Sequence, residues 1–182
     1  MAKAIGMMEY QTVSKGIRAA DLIVKTAEVD IIEAQVVCPG KYIILVEGEL
    51  SAVRASIDAS KGLIGEGVID TFVLGNPHES IFPAIYGSNE VSDAKALGVL
   101  ETFSAASIIV AADMAAKTAM VDLIELRIAK GMCGKSYLLL TGEVAAVTAA
   151  IEKAKDAVKD TGMFLDSSIM ANPDEKLWKS IL

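Results

Sequence analysis

Two cysteines, Cys38 and Cys133, have the widest chemistry open to them in this 182-residue chain. A free thiol can ligate a metal, take part in redox exchange, or pack as a small hydrophobe. Cys38 sits in VVCPGKYIILVEGE (Val36 to Glu49), where strand-forming residues stop at Cys38-Pro39-Gly40 and then resume. Cys133 sits in AKGMCGKSYLLLTGE, a stretch of much the same shape. Glu9 and Glu101 are the carboxylates whose placement invites an acid–base reading. They occupy matching positions in two similar segments, which favours a shared structural role. His78 is the one histidine. No serine or cysteine is placed to make a triad with it, so it is assigned to capping the turn after Pro77. The set holds no G-x-G-x-x-G, no Walker loop, no H-E-x-x-H and no C-x-x-C.

These residues are carried on an internal repeat. At an offset of 92, the 30 positions from Ala4 to Glu33 contain 14 identities with Ala96 to Glu125, among them Gly6/Gly98, Glu9/Glu101, Asp21/Asp113, Lys25/Lys117 and Asp30/Asp122. The match resumes at an offset of 94 with Gly40-Lys41 and Gly134-Lys135, and at 96 with Asn76-Pro77 and Asn172-Pro173. The chain therefore reads as two copies of one domain, residues 1–90 and 91–182, joined near Tyr86 to Lys95. Each copy runs strand, helix, two strands, helix, strand and a short terminal helix. The first helix is placed at about 14–27 and its partner at about 104–119, the latter apolar almost all round and so expected to be buried on several sides. Leu50, Val53, Ile57 and Ile64 recur at helical spacing, as do Val144, Val147, Ile151, Ala154 and Val158. This order predicts an α+β fold, with helices on one face of an antiparallel sheet. Leu177 and Trp178 are expected to anchor the terminal helix by burying apolar surface.

Composition narrows the function. Seventeen basic and 24 acidic residues give a net charge of −7. With no basic stripe, nucleic acid is excluded as a partner, because phosphate neutralisation supplies most of that affinity. The longest apolar run, Ala105 to Ala116, is interrupted by Ser107 and Asp113 and is too short to span a bilayer, so no membrane is expected either. The start lacks the pattern of a secretory signal, and a soluble cytoplasmic protein is expected. Hydrophobic residues make up 53% but aromatics only 5%, a composition suited to close packing and subunit interfaces rather than to a large aromatic pocket.

The segments AADLIVKTAEV and AADMAAKTAMV each follow an xGxxE strand and precede a Gly-Lys…Gly-Glu hairpin. In this they resemble the bacterial microcompartment (BMC) shell domain, nearly end to end and twice over. The resemblance implies two tandem ferredoxin-like-variant BMC domains, a homotrimer that acts as a pseudo-hexameric tile, and location in a cytoplasmic polyhedral body. It implies a structural protein and not an enzyme. Its implied partners are other microcompartment shell proteins and an encapsulated redox enzyme. The loop between the second and third strands of each domain would line a pore at the symmetry axis: Pro39, Gly40 and Lys41 in one, Gly131, Met132, Cys133 and Gly134 in the other. Lys25 and Lys117 fall on the family's edge lysine. An i,i+4 pair with Asp21 or Asp113 adds only about 0.2–0.5 kcal/mol on an exposed helix, which also points to an edge role. Asn76 and His78 lie in the turn that helps seal tile edges, though the arginine usual there is missing from both Gly75-Asn76-Pro77-His78 and Ala171-Asn172-Pro173-Asp174.

VVCPGK further resembles the iron–sulfur subgroup of the tandem-domain shell proteins. One thiolate cannot hold a cluster. Three Cys38 thiolates around a threefold axis would supply three ligands to a [4Fe-4S] cluster, leaving one iron for water, a small ligand or a partner side chain. Pro39 would end the strand, Gly40 would let three loops crowd the axis, and Lys41 would ease the negative charge. Cys133 stands where glycine is expected. It is read as inert, with a second axial opening or a redox-sensitive thiol as alternatives. Two other functions stay open: a shell trimer with a metabolite or cofactor pore and no cluster, and a small-molecule sensor or enzyme on a ferredoxin-like sandwich.

Overall fold

A computed structural model describes residues 4–89, 91 and 94–182. The first repeat runs β1 (Ala4–Tyr10), α1 (Val13–Thr26), β2 (Val29–Val37), β3 (Lys41–Gly48), α2 (Leu50–Leu63), β4 (Val68–Gly75) and α3 (Ile81–Ile85). The second runs β5 (Ala96–Thr102), α4 (Ala105–Thr118), β6 (Val121–Arg127), β7 (Ser136–Gly142), α5 (Val144–Val158), β8 (Phe164–Met170) and α6 (Glu175–Ile181). Each repeat forms one four-stranded antiparallel sheet, in the orders β2-β3-β1-β4 and β6-β7-β5-β8. The α+β fold, the order of elements along each repeat and the antiparallel sheets are those expected.

The two sheets share their register in detail. Glu9 faces Asp70 and Glu101 faces Asp166, each followed by the same irregularity in the ladder. Ile31/Glu33 and Leu123/Glu125 break the β2–β3 and β6–β7 ladders at the same place. The repeat is thus structural, position by position.

Contacts divide the chain into two compact units. One comprises Met1–Pro77 with Ser104–Ala106 and Ala129–Gly134. The other comprises His78–Phe103, Ser107–Ile128 and Lys135–Leu182. In the first, strand alternation sends Ala4, Met8 and Tyr10 of β1 and Tyr42, Ile44 and Val46 of β3 into one core with Ala19, Ile23, Val53 and Ile57 of the helices. Gly6 lies in the same row. A Cβ there would come within 2.7 Å of Val53 and 2.9 Å of Ile57, so only glycine lets α2 approach this closely. Tyr10 has its hydroxyl 2.9 Å from that of Ser60, which satisfies both inside the core. In the second unit Gly98 meets the same constraint from Val147 and Ile151. There α3 lies against β6, with Ile81 and Leu123 fully buried. As its composition predicts, α4 is buried on several sides: Ile108, Ile109, Ala111, Ala112 and Ala115 are all inaccessible.

The terminal helix departs from expectation. None of the residues of α6 is buried, and Leu177 stays 37% exposed. Trp178 is half-buried, so the apolar anchoring expected of the pair falls to Trp178 and not to Leu177.

Candidate functional site

The turn that carries Cys38 is built by β2 and β3. Val37 pairs with Lys41, and the Gly40 N–H donates to the Val37 carbonyl at 2.9 Å, closing a three-residue connection. The Cys38-Pro39 peptide is cis. Gly40 has φ +105°, a conformation other residues rarely adopt, and a Cβ there would meet nothing within 4 Å. Within one chain its glycine is needed for that dihedral angle; neighbouring atoms place no limit on its size. Cys38 is half-buried and Cys133 exposed, both as free thiols. A groove runs along Val36 to Gly40 and is completed by Lys130 and Gly131.

The longer loop of the second repeat supports this turn. The Cys38 N–H donates to the Ala129 carbonyl at 3.3 Å, and the Lys130 ammonium lies 2.8 Å from Glu33. Glu33 also accepts from Gln35. Ala129 and Cys133 both hold positive φ, 56° and 52°. Cys133 therefore occupies a left-handed position that suits glycine, which agrees with the expectation that glycine belongs there. Cys133→Gly is expected to stabilise the fold by about 1 kcal/mol, read as a higher urea midpoint. In the wild-type chain a thiol reagent should modify Cys133 faster than Cys38, as peptide mapping of a brief labelling would show.

Lys41 is not at liberty to neutralise charge at Cys38. Its ammonium lies 2.8 Å from Glu9 Oε1 and 3.4 Å from the Gly134 carbonyl. Glu9 is fully buried, and its second oxygen accepts from the Ala105 N–H at 2.9 Å, the first residue of α4. Beside it the Ser104 hydroxyl donates to Asp70. Burial pushes the Glu9 carboxyl up, against the pull of Lys41 and the Ala105 N–H, with Asp70 adding a smaller push upward. Glu9 is therefore a structural tie between β1, β3 and the start of α4; among the described residues its twin Glu101 makes no such tie, so the shared structural role expected of the pair is seen at Glu9 alone. Sequence reasoning missed that Lys41 is its partner, because the two are separated by 31 intervening positions and meet only through the β1–β3 register.

The outer face of the second sheet has its own cluster. Arg127 and Tyr137 both donate to Glu125, at 2.6 Å each, and the guanidinium stacks over the phenol ring. Burial first, then the Glu125 contact, push Tyr137 up to about 12. No signal in the sequence singled out this cluster.

Residues 4–77 and 96–173 match the model of the BMC domain. The chain belongs to the BMC-domain family. Over its whole length this tandem BMC chain is 35% identical to the bacterial microcompartment shell protein PduT of Citrobacter freundii, covering 99% of that protein. Over 92 residues, 49% of the chain, it is 34% identical to the carboxysome shell protein CsoS1 of Prochlorococcus marinus strain SARG, covering 89% of it. Among solved structures it is similar to a microcompartment protein from Desulfitobacterium hafniense DCB, with TM-score 0.85 and 42% identity over 98% of this chain and 99% of that one. It also resembles a fused permuted hexameric shell protein of the RMM microcompartment, with TM-score 0.69 and 25% identity over 87% and 84% of the two chains. This BMC protein is a structural shell component of a bacterial microcompartment and not an enzyme.

The remaining sequence-selected residues lie away from the Cys38 turn. Lys25 pairs with Asp21 and Lys117 with Asp113, each at 2.7 Å. Lys25 is 69% exposed and Lys117 38%. His78 does cap its turn: Nδ1 lies 2.8 Å from the Ser80 hydroxyl and accepts from the Ser80 N–H at 3.3 Å. Its own N–H donates to Asp113 Oδ1 at 2.7 Å. Asn76 holds φ 54°, the left-handed conformation that asparagine tolerates better than most residues.

Proposed function

We propose that three copies of the chain close into a ring-shaped tile, with the Val37–Lys41 turn of each copy at the axis. One Cys38 from each copy then holds a single [4Fe-4S] cluster. The reading is carried by the Cys38 turn, which offers one accessible thiol per chain at the tip of a rigid, glycine-dependent connection. Among the described residues no group of three His, Cys, Asp or Glu could hold a metal within one chain, so a cluster has to be assembled across copies. Thiolate donors suit iron–sulfur chemistry. When bound, such a cluster would carry an electron or be exchanged across the shell. The chain's own part is to fix the thiol. The Cys38 N–H is tied to Ala129, and Lys41 is tied to Glu9, which keeps the base of the turn in register. Lys130 lines the same groove, with its ammonium held by Glu33. Tiles of this kind associate with other shell proteins, and an encapsulated redox enzyme is the electron partner the cluster calls for.

Anaerobic purification followed by iron and acid-labile sulfide analysis, electron paramagnetic resonance and native mass measurement tests this. Four irons and four sulfides per three chains are expected. Trimers that stay colourless after anaerobic reconstitution would leave a plain pore at the axis.

Edge association is tested separately. Lys25→Asp places a carboxylate one turn from Asp21 and removes the exposed ammonium. It is expected to keep the trimer mass but abolish sheet formation in electron micrographs. Unchanged sheets would show that Lys25 lies outside the tile edge.

A further inference from the structure

On the cluster reading above, we infer that Gly134 is a positioning residue for Cys38. The Ala129–Gly134 loop of the second repeat is a seat for the turn of the first, and the seat sets where the thiol stands.

Both pieces belong to the same compact unit. The twin glycines Gly40 and Gly134 show how they meet. Both are left-handed, at φ +105° and +87°. A Cβ on Gly40 would meet nothing within 4 Å. A Cβ on Gly134 would lie 3.2 Å from the Cys38 carbonyl oxygen, 3.0 Å from Lys41 Cε and 3.1 Å from Lys41 Nζ. Gly40 serves its dihedral angle alone, whereas Gly134 also lets its backbone rest against Cys38.

Hydrogen bonds hold the seat at both ends. At its start the Ala129 carbonyl accepts the Cys38 N–H, and at its end the Gly134 carbonyl accepts from Lys41. Between them Lys130 is held by Glu33 of β2. Cys38 is thus tied at its N–H by the first residue of the loop and approached at its carbonyl by the last. The loop is strained in this shape, since Ala129 and Cys133 hold φ 56° and 52°, unfavourable for a residue with a Cβ. Such strain persists where the surroundings over-determine it. Here the strained Ala129 is the residue whose carbonyl takes the Cys38 N–H.

A methyl at Gly134 must displace one of its neighbours. Lys41 is fixed by the buried Glu9 at 2.8 Å, so the displacement falls on the Cys38 carbonyl. Cys38 then leaves its bond to Ala129, and the sulfur moves with it.

Gly134→Ala is compared with Gly131→Ala. Gly131 lies in the same loop at φ +73°, and a Cβ there would meet nothing within 4 Å. The two alanines carry a similar dihedral cost and differ in the contact with Cys38. A loop that is merely structural would respond to both alike. Two measurements need no cluster. Amide hydrogen exchange should find the Cys38 N–H protected in the wild type and about tenfold less protected in Gly134→Ala, the worth of one hydrogen bond. In a Cys133→Ser background, a thiol reagent should modify Cys38 about tenfold faster in Gly134→Ala. Gly131→Ala should match the wild type in both. In iron-loaded protein reduced with dithionite, Gly134→Ala should shift the electron paramagnetic resonance signal and the midpoint potential, and Gly131→Ala should shift neither. Two alanine variants that behave alike overturn the seat while the cluster stands. A wild-type Cys38 N–H that exchanges at the unprotected rate also overturns it, even where Gly134→Ala fails to fold. Protein that binds no iron overturns the cluster, and exchange and labelling still decide the seat.

Discussion

Cys38→Ser is expected to give colourless protein with no iron or acid-labile sulfide above background, at an unchanged oligomeric mass. Serine replaces one atom on a half-buried side chain at a turn whose shape is set elsewhere, by the Gly40 dihedral angle and the Val37–Lys41 pairing. The fold has little reason to respond. The hydroxyl, by contrast, stays protonated and is a poor ligand for iron, so three substitutions at one axis would remove every protein ligand together. Cys133→Ser is the control and should retain the full iron content. Iron that survives in Cys38→Ser and is lost in Cys133→Ser would transfer the site to the longer loop. Iron that survives in both would remove the cluster from the cysteines altogether.

The second large effect is expected at Glu9. Glu9→Ala takes the Glu9 carboxylate from the Lys41 ammonium, only 16% exposed, and strips the cap from the first residue of α4. Breaking a buried pair by removing one partner costs about 3–5 kcal/mol, a large share of the stability of a domain this size. Chemical denaturation would read it as a sharp drop in midpoint. Glu9→Gln separates charge from shape. Because burial raises the carboxyl in the folded chain above its unfolded value of 4.5, the folded state holds the proton more tightly. The Glu9 contribution to stability is therefore largest below that value. It declines as pH rises through the folded value and is constant above it. The difference in stability between wild type and Glu9→Gln should fall with rising pH across the weakly acidic range. A difference that rises instead would mean that the ion pair with Lys41 outweighs burial.

Much of the fold could be read from the chain because duplication supplies its own control. A residue such as Gly6 says little alone, but Gly6 and Gly98 at the same place in two copies mark the point where α2 and α5 come closest to their sheets. The same comparison favoured a structural role for Glu9 over catalysis. What failed was any inference that depended on which surface a side chain meets. Leu177 and Trp178 were expected to anchor the terminal helix by burying apolar surface; Trp178 is half-buried, but Leu177 stays exposed. Lys41 was assigned to the charge at Cys38 because the two are near in sequence. Strand pairing instead brings Lys41 to Glu9, and Lys130 enters the groove from the other repeat. The Glu125–Arg127–Tyr137 cluster was missed because its twin positions carry Glu33 and Gln35, so no second cation recurred opposite Arg127 to draw attention to it.

The unequal turns, Cys38-Pro39-Gly40 in one repeat and Ala129–Gly134 in the other, bear on how such a centre can evolve. In a ring built from single-repeat chains, every change beside the axis is imposed at all positions simultaneously. Fusion breaks that parity. One turn can acquire a reactive atom while its twin drifts in length and composition, so an odd number of identical groups becomes available inside a ring of even pseudo-symmetry. A gene that carries both halves can explore new central chemistry at half dosage while the outer rim of the tile stays under its original constraints.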